Sequence, residues 1–320
     1  MVCLFILVTG LIGCGKPKSV TSANSESKKI KVIASIYPLY DFTRQIGGDK
    51  VEVVCLVPAG AEPHDWEPKA RDLASLQSAN LFIYNGLGME PWLDSFQSAL
   101  KGSKCFFVNA SQGISLLKAK HDDEPNQGEK DRRYSIKSAE ASSGEYDPHV
   151  WLDPMRAKQQ AANIKAALIQ VSPENKETFE ANYARFAAAL DDLDAQFRAV
   201  ASQATRKEFV VTEPAFAYLA DRYGLKQVSI LGLCTEGEPS PGELKKIVDF
   251  ARQNKIKHIF FESTYSPKVA ETLAKEVGAQ TLVLSAVHGL TEEDLKQGKN
   301  YLSTMKSNLE NLKIALQDKE

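Results

Sequence analysis

The chain has 320 residues, enough for two ordinary domains, and its 43% hydrophobic and 25% charged content is typical of globular proteins. A formal net charge of -2 excludes the strongly basic surface by which nucleic-acid-binding proteins engage phosphates. After the N-terminal segment, no apolar run approaches the roughly twenty residues that a membrane-spanning helix needs.

The first element in chain order is an apolar segment, MVCLFILVTGLIGCGKPKSV, that is typical of a targeting signal. Within it, LIGC resembles the lipobox of bacterial lipoprotein signals, which implies cleavage before Cys14 and acylation of its thiol. The sequence therefore predicts a signal peptide over residues 1–13 and a flexible Ser/Lys-rich tether over 14–29. An ordinary cleaved signal peptide is the alternative. Either reading places the protein outside the cytoplasm, in the lipobox case anchored to the membrane's outer face.

An α/β lobe follows over residues 30–171. Short β-rich apolar runs at 30–35, 51–57, 80–86 and 104–110 are bounded by Gly, Pro or Asn, and stretches with helical spacing separate them. This alternation predicts a parallel sheet with helices on both faces. Residues 118–146 contain almost no large apolar groups and are predicted to form a mobile loop within this lobe.

A long helix and a second α/β lobe complete the chain. The Ala-rich stretch 172–205 lacks internal glycine and predicts one rigid linking helix. Strand-like runs at 208–213, 226–232, 257–263 and 279–285 then predict a second parallel sheet within 206–320. The predicted fold is two parallel-sheet α/β lobes joined by a single long helix.

Four residues with metal-binding side chains fall where the loops of the two sheets are expected to converge. His64 follows the second strand, His149 precedes a helix, and Glu213 follows the run FVVT. His288 lies three residues beyond the run LVLS. Because ligands bind beyond the carboxyl ends of strands in open parallel sheets, these four residues are candidate ligands of one site. The remaining two histidines, His121 and His258, are interpreted as surface or core residues.

Several long segments together resemble one protein family, the solute-binding lipoproteins of bacterial zinc and manganese ABC importers (TroA-like proteins). The segments are PAGAEPHDWEPKARDLASLQSANLFIYNGLGMEPWL, DPHVWLDP, FVVTEPAFAYLADRYGL, EGEPSPGEL, FFESTYSPKVAETLAKEVGA and HGLTEEDLKQGKNYLSTMKSNL. The resemblance extends from about residue 30 to 315. It implies two α/β lobes, a rigid connecting helix and one metal ion held by four side chains in the cleft between the lobes.

The resemblance also assigns the ligands. His64 matches the first ligand position, His149 the second, and Glu213 the third, where family members carry His or Glu. His288 matches the fourth position, which is usually acidic; the aspartate of members with the motif LDPL falls on Ser285 here. Water is the alternative to His288 as the fourth ligand.

Three imidazoles and one carboxylate favour zinc, because manganese prefers a shell richer in oxygen. The polar loop carries His121, Asp122, Asp123 and Glu124, a sparse version of the loops in zinc-binding members. Glu at the third position is instead typical of manganese-type members, so manganese is the alternative. Candidate partners for the second nitrogens of the ligand imidazoles are Asp65, Asp153 and Glu262.

The predicted function is high-affinity extracytoplasmic binding of zinc and its delivery to the permease and ATPase subunits of an ABC importer. The protein is expected to act as a monomer held at the membrane by lipid, with no nucleic-acid partner and no catalysis. Two further alternatives are a surface adhesin and a zinc metalloenzyme. A metalloenzyme would need an open coordination position, and the chain lacks an HExxH motif and a Gly-rich phosphate loop.

Overall fold

The structure is a computed structural model, and it describes residues 29–119, 133–135, 145–229, 245, 248–249, 251–262 and 268–317. Cys14 and the predicted signal peptide lie outside the described residues, as do the loop residues His121 to Glu124. Among the described residues, no helix combines the length and apolarity needed to cross a membrane.

The N-terminal lobe is built on a four-stranded parallel sheet. Its strands are β1 (Ile30–Ala34), β2 (Val51–Cys55), β3 (Leu81–Tyr84) and β4 (Phe106–Asn109), in the order β2-β1-β3-β4. Its helices are α1 (Tyr37–Gly47), α2 (Ala70–Ser78), α3 (Leu93–Ala99) and α4 (Pro154–Val171). The central strand β1 has four buried residues of five, as expected for a parallel strand covered on both faces.

The polar stretch 118–146 contains one short strand among its described residues. Strand β5 (Ser115–Leu117) pairs antiparallel with β6 (Arg133–Ser135), which lies inside that stretch. A further antiparallel bridge joins Lys118 to Tyr146, so the two ends of the stretch lie side by side. These short strands form through backbone pairing, and a pattern of hydrophobic residues in the sequence does not reveal such pairing.

The linking helix α5 (Lys176–Ser202) has 27 residues, which corresponds to about 40 Å at 1.5 Å per residue. A 3-10 turn at Pro173–Asn175 precedes it, so the α-helix begins later than the predicted residue 172. α5 packs against both α4 and α1 of the first lobe and against the last helix of the second lobe.

The C-terminal lobe repeats the architecture. Strands β7 (Glu208–Val211), β8 (Lys226–Ser229), β9 (His258–Phe261) and β10 (Gln280–Val283) form a parallel sheet in the order β10-β9-β7-β8. The helices described in full are α6 (Ala217–Tyr223), α7 (Lys268–Val277), α8 (Glu292–Lys296) and α9 (Tyr301–Leu316). The predicted fold class is confirmed.

One hydrophobic core runs through both lobes. It includes Val32 and Leu39 of the first lobe, Leu190 of the linking helix, and Phe209 and Phe260 of the second lobe. Two smaller clusters cover the outer faces of the two sheets. The two lobes therefore pack against each other through one shared core.

Candidate metal centre

The structure brings all four predicted ligands together at the boundary between the two lobes. His64 lies in the loop after β2, and His149 lies immediately before the 3-10 turn that leads into α4. Glu213 follows β7 and His288 follows β10, so each lobe supplies two side chains. Three of the four are buried, whereas His64 is partly exposed.

The donor atoms form a continuous chain of short separations. Nε2 of His64 lies 3.4 Å from Nε2 of His149, which lies 3.9 Å from Oε1 of Glu213. The same Glu213 oxygen lies 3.5 Å from Nε2 of His288. Donor atoms bound to a tetrahedral zinc at about 2.0–2.1 Å are roughly 3.3 Å apart. These three separations are close to that value, so consecutive donors have the spacing of metal ligands.

Glu213 is the residue that joins the two halves of the cluster. Donor atoms within 4.8 Å of one another form two overlapping groups, His64–His149–Glu213 and Glu213–Glu262–His288. Oε2 of Glu213 and both ring nitrogens of His288 are buried and make no hydrogen bond within the described residues. Buried polar atoms are normally satisfied, so these atoms point to a ligand that completes them.

His149 is held by a carboxylate that the sequence reasoning missed. Oδ1 of Asp147 accepts hydrogen bonds from the His149 backbone N–H at 2.9 Å and from its ring Nδ1 at 3.0 Å. Both side chains are almost fully buried. A proton on Nδ1 leaves the lone pair of Nε2 directed at the other donors, the usual arrangement of a metal-binding histidine. The available sequence signal was the DPH triplet itself, which places the aspartate two residues before the imidazole.

The three carboxylates predicted to support the imidazoles lie in different surroundings. Asp65 is exposed. Asp153 caps α4 through the Met155 N–H and pairs with Arg156 at 2.6 Å. Glu262 is buried close to Glu213 and His288, where its Oε2 accepts the backbone N–H of Ala286. Of the three, Glu262 alone borders the candidate site.

Glu62 is a second acidic residue at the site that sequence reasoning missed. Its Oε2 lies 3.5 Å from Nε2 of His288, so it spans the two lobes. Its Oε1 accepts the backbone N–H of His64 at 3.3 Å. Glu62 therefore contacts one predicted ligand from each lobe and adds negative charge beside the imidazoles.

His288 sits in a strained turn. Val287 has a φ of 57°, a region that β-branched residues rarely adopt. Its N–H donates to the Ser285 hydroxyl, and the Ser285 backbone is bonded in both directions by the side chain of Asn308. Such strain persists only where the surroundings over-determine the backbone, and it is concentrated at functional sites.

The site also separates the pKa values of its histidines. Burial would lower the pKa of His288, but the adjacent Glu213 carboxylate outweighs burial and raises it to about 9. Burial and the neighbouring His149 and His288 lower the pKa of His64 to about 3. Although burial raises the pKa of Glu213, His288 and the other histidines bring it below its ordinary value. In the metal-free protein at neutral pH, His64 is thus neutral and His288 is charged and paired with Glu213.

Sequence comparison places this site in a known context. The sequence profile of ZnuA, described as zinc-uptake complex component A, periplasmic, matches residues 32–315. The chain belongs to this family. The matched range includes all four candidate ligands and both lobes.

Individual members of the zinc-uptake family are also similar over most of the chain. The high-affinity zinc uptake system protein ZnuA of Bacillus subtilis (strain 168) is 41% identical over 312 residues, which cover 98% of this chain and 94% of that protein. The zinc-binding lipoprotein AdcA of Streptococcus pneumoniae is 39% identical over 303 residues. This chain covers 58% of that longer lipoprotein, and 95% of this chain is aligned.

A solved structure shows the same fold. The crystal structure of the Zn(II)-bound ZnuA-like domain of Streptococcus pneumoniae AdcA superposes with a TM-score of 0.77 at 38% identity. The match covers 91% of this chain and all of that domain, 100% of its length. The family and the two-lobed architecture inferred from sequence are therefore confirmed.

Proposed function

We propose that the chain binds one zinc ion through His64, His149, Glu213 and His288 and delivers it to an ABC importer. The observation that carries the proposal is the convergence of these four donors, two from each lobe, at separations of 3.4, 3.9 and 3.5 Å. Relatives named for zinc uptake and a zinc-bound related domain support zinc as the cargo.

The donor set itself favours zinc over manganese. Three imidazoles and one carboxylate suit zinc, whereas manganese prefers mostly oxygen ligands. Glu62 and Glu262 add oxygen atoms nearby, and each uses one of its oxygens to accept a backbone N–H, from His64 and from Ala286. A site that supplies four protein donors also leaves no coordination position for a substrate, which supports a binding protein over a metalloenzyme.

The direct test is metal stoichiometry and selectivity. Protein stripped with a chelator and dialysed against trace-metal-free buffer should take up one zinc ion per chain, measured by elemental analysis and competition with a chromophoric chelator. Zinc should bind more tightly than manganese. His258→Ala is the matched control, because His258 begins β9 at the end of the strand away from the site. Preference for manganese, or a stoichiometry unaffected by His149→Ala, would overturn the proposal.

Membrane attachment and delivery to a permease are the cellular part of the proposal. Lipidation at Cys14 would tether the chain to the outer face of the membrane, beside the importer subunits that accept the ion. In a bacterium lacking its own zinc-uptake binding protein, the intact chain should restore growth under zinc chelation, and His149→Ala should not. Cys14→Ala should release the protein from the membrane fraction; unchanged membrane partition would refute lipidation at this residue.

A further inference from the structure

The segment that carries His149 belongs to the N-terminal lobe by chain order, yet its hydrogen bonds reach across to the C-terminal lobe. The relevant segment is residues 147–153, between the polar stretch and α4. Asn85 of the first lobe donates to the Pro148 carbonyl at 3.0 Å. The other contacts of the segment described below come from α6, α9 and the turn before His288.

Tyr218 of α6 reaches the segment two residues before His149. Its hydroxyl donates to the carbonyl oxygen of Asp147 at 2.8 Å and accepts the N–H of Leu117 at 3.1 Å. The side chain is fully buried. Because α6 begins four residues after Glu213, this hydroxyl links the residue that orients His149 to the element that follows the carboxylate ligand.

Tyr301 of α9 reaches the segment two residues after His149. Its hydroxyl donates to the carbonyl oxygen of Trp151 at 2.5 Å, and its ring is fully buried against Phe42. The indole Nε1 of Trp151 in turn donates to the carbonyl of Ala286 at 2.7 Å. Ala286 lies two residues before His288, so this contact connects the turns that present the two histidines.

We propose that Tyr218 and Tyr301 are positioning residues for metal binding, which hold His149 at a fixed distance from Glu213 and His288. The two hydroxyls donate hydrogen bonds to backbone carbonyls on either side of His149, at residues 147 and 151. Neither hydrogen bond involves an atom of the proposed zinc ligands. The segment around His149 is therefore tied to the C-terminal lobe by hydrogen bonds on both sides of the imidazole. This inference rests on the proposed zinc site and adds to it the residues that set its geometry.

The chain offers a matched control on the same helix. Tyr223 of α6 is also buried, and its hydroxyl donates to Oδ1 of Asp194 on the linking helix at 3.0 Å. Asp194 keeps Arg198 and Arg222 as partners when that hydroxyl is removed. Tyr223→Phe therefore deletes a buried tyrosine hydroxyl bond without removing a hydrogen bond to the backbone of the His149 segment.

The experiment compares Tyr218→Phe, Tyr301→Phe, their double variant and Tyr223→Phe in the full mature chain. Zinc affinity is measured by chelator competition, metal-free stability by urea unfolding, and site geometry by the visible ligand-field spectrum of the Co(II)-loaded protein. Loss of a group that orients a ligand costs roughly 10–100-fold in affinity. The double variant should weaken zinc binding by roughly tenfold and alter the Co(II) spectrum, and Tyr223→Phe should do neither.

A double-mutant cycle separates positioning from general stability. In a His149→Ala background the tyrosine substitutions should no longer change zinc affinity, because the ligand through which they act is gone. The inference fails if the double variant binds zinc and Co(II) like Tyr223→Phe, or if its loss of affinity persists without His149. Absence of zinc binding by the parent chain would instead refute the proposed function, so the two failures are distinguishable.

Discussion

The two histidines that the N-terminal lobe contributes to the site are held in contrasting ways. His149 is buried, and Asp147 fixes both its backbone N–H and its ring nitrogen. His64 is partly exposed, and its ring contacts that of His149 through Nε2. The same proposed ligand type, an imidazole, thus occurs once in a preorganised form and once in an adaptable form.

The site as a whole consists of three buried donor side chains and one that is accessible to solvent. His149, Glu213 and His288 are buried, and Asp147 holds His149 in place, whereas His64 is partly exposed. Preorganised donors lower the ordering cost of binding, and an adaptable donor permits an ion to enter and leave. A high-affinity carrier that must also release its cargo requires both properties.

The largest effects are expected from His149→Ala and His64→Ala, each of which removes a proposed ligand. Both should lower zinc affinity by more than the roughly 10–100-fold that follows from losing a ligand's supporting partner. Metal-free stability should separate them. His149→Ala leaves the buried Asp147 carboxylate without its ring partner and should cost about 1–3 kcal/mol in urea unfolding. His64→Ala should cost less than about 1 kcal/mol; equal losses would break the comparison.

A smaller effect should follow from Asp147→Asn, which keeps the shape of the side chain and removes its charge. The weaker acceptor should reduce zinc affinity by roughly 10–100-fold, as measured by chelator competition. Asp65→Asn is the matched control, because Asp65 is adjacent to His64 in sequence but exposed. If the control loses as much affinity as Asp147→Asn, the charge of the cleft matters rather than the orientation of His149.

The proton released upon zinc binding should come from His288 and not from His64. His288 has a pKa raised to about 9 and must lose its proton to bind zinc, so about one proton should be released near pH 7.5. Zinc affinity should rise about tenfold per pH unit up to about pH 9, because protonation competes with the metal. The ordinary histidine pKa of about 6.5 would instead confine this competition to lower pH.

Metal-free stability should follow the opposite trend for the same reason. A group whose pKa is raised by folding stabilises fully below its unfolded value, about 6.5, and the contribution is lost as pH rises through about 9. His64, whose pKa of about 3 is below its unfolded value, should remain neutral throughout this window. For the preceding prediction, calorimetry in buffers of different ionisation enthalpy measures the number of protons released upon zinc binding. A number near zero at pH 7.5 contradicts the raised pKa of His288.

A change of selectivity with modest change in affinity is expected from His288→Asp. The new carboxylate would join Glu62, Glu213 and Glu262 and make the site richer in oxygen, which favours manganese. Paired zinc and manganese competition titrations should show retained binding with a shift towards manganese, whereas His288→Ala should weaken zinc binding strongly. Tight zinc binding by His288→Ala would assign the fourth position to water or another residue.

The smallest effect is expected from replacing residues 120–144 by a short Gly/Ser linker. The flanking residues are already paired, since Ala119 N–H donates to the Glu145 carbonyl and Asp147 N–H to the Leu117 carbonyl, both at 3.0 Å. The connection to the His149 segment therefore survives the deletion. Affinity for the first zinc ion should stay within a few-fold in chelator competition; a loss of orders of magnitude would place His121 or its acidic neighbours in the primary site.

Much of the fold could be predicted because apolar runs of six or seven residues are bounded by Gly, Pro or Asn. Each of the eight strands of the two parallel sheets lies inside a predicted run. The short pair β5–β6 was missed, because three-residue strands in a polar segment are formed by backbone pairing and leave no hydrophobic pattern.

The four candidate ligands could be proposed from sequence because the carboxyl ends of parallel strands share one edge. Their supporting contacts could not. The bonds from Tyr218 and Tyr301 join residues 71 and 150 positions apart, and side-chain directions across two lobes depend on packing. The raised pKa of His288 likewise depends on Glu213 and Glu62, which are distant in sequence. Asp147 is the exception, since it lies two residues from its histidine.

The position of Trp151 gives the protein an intrinsic optical probe of its own site. Its fully buried indole lies edge-on to the His149 ring, 5.4 Å between centroids, and also bonds the turn before His288. The chain has three tryptophans, and the other two, Trp66 and Trp92, pack against each other in the N-terminal lobe. Replacing that pair by phenylalanine would leave a single tryptophan, beside the candidate metal centre. Its fluorescence, quenched by energy transfer to Co(II) or Cu(II), would then report ion arrival and departure in real time.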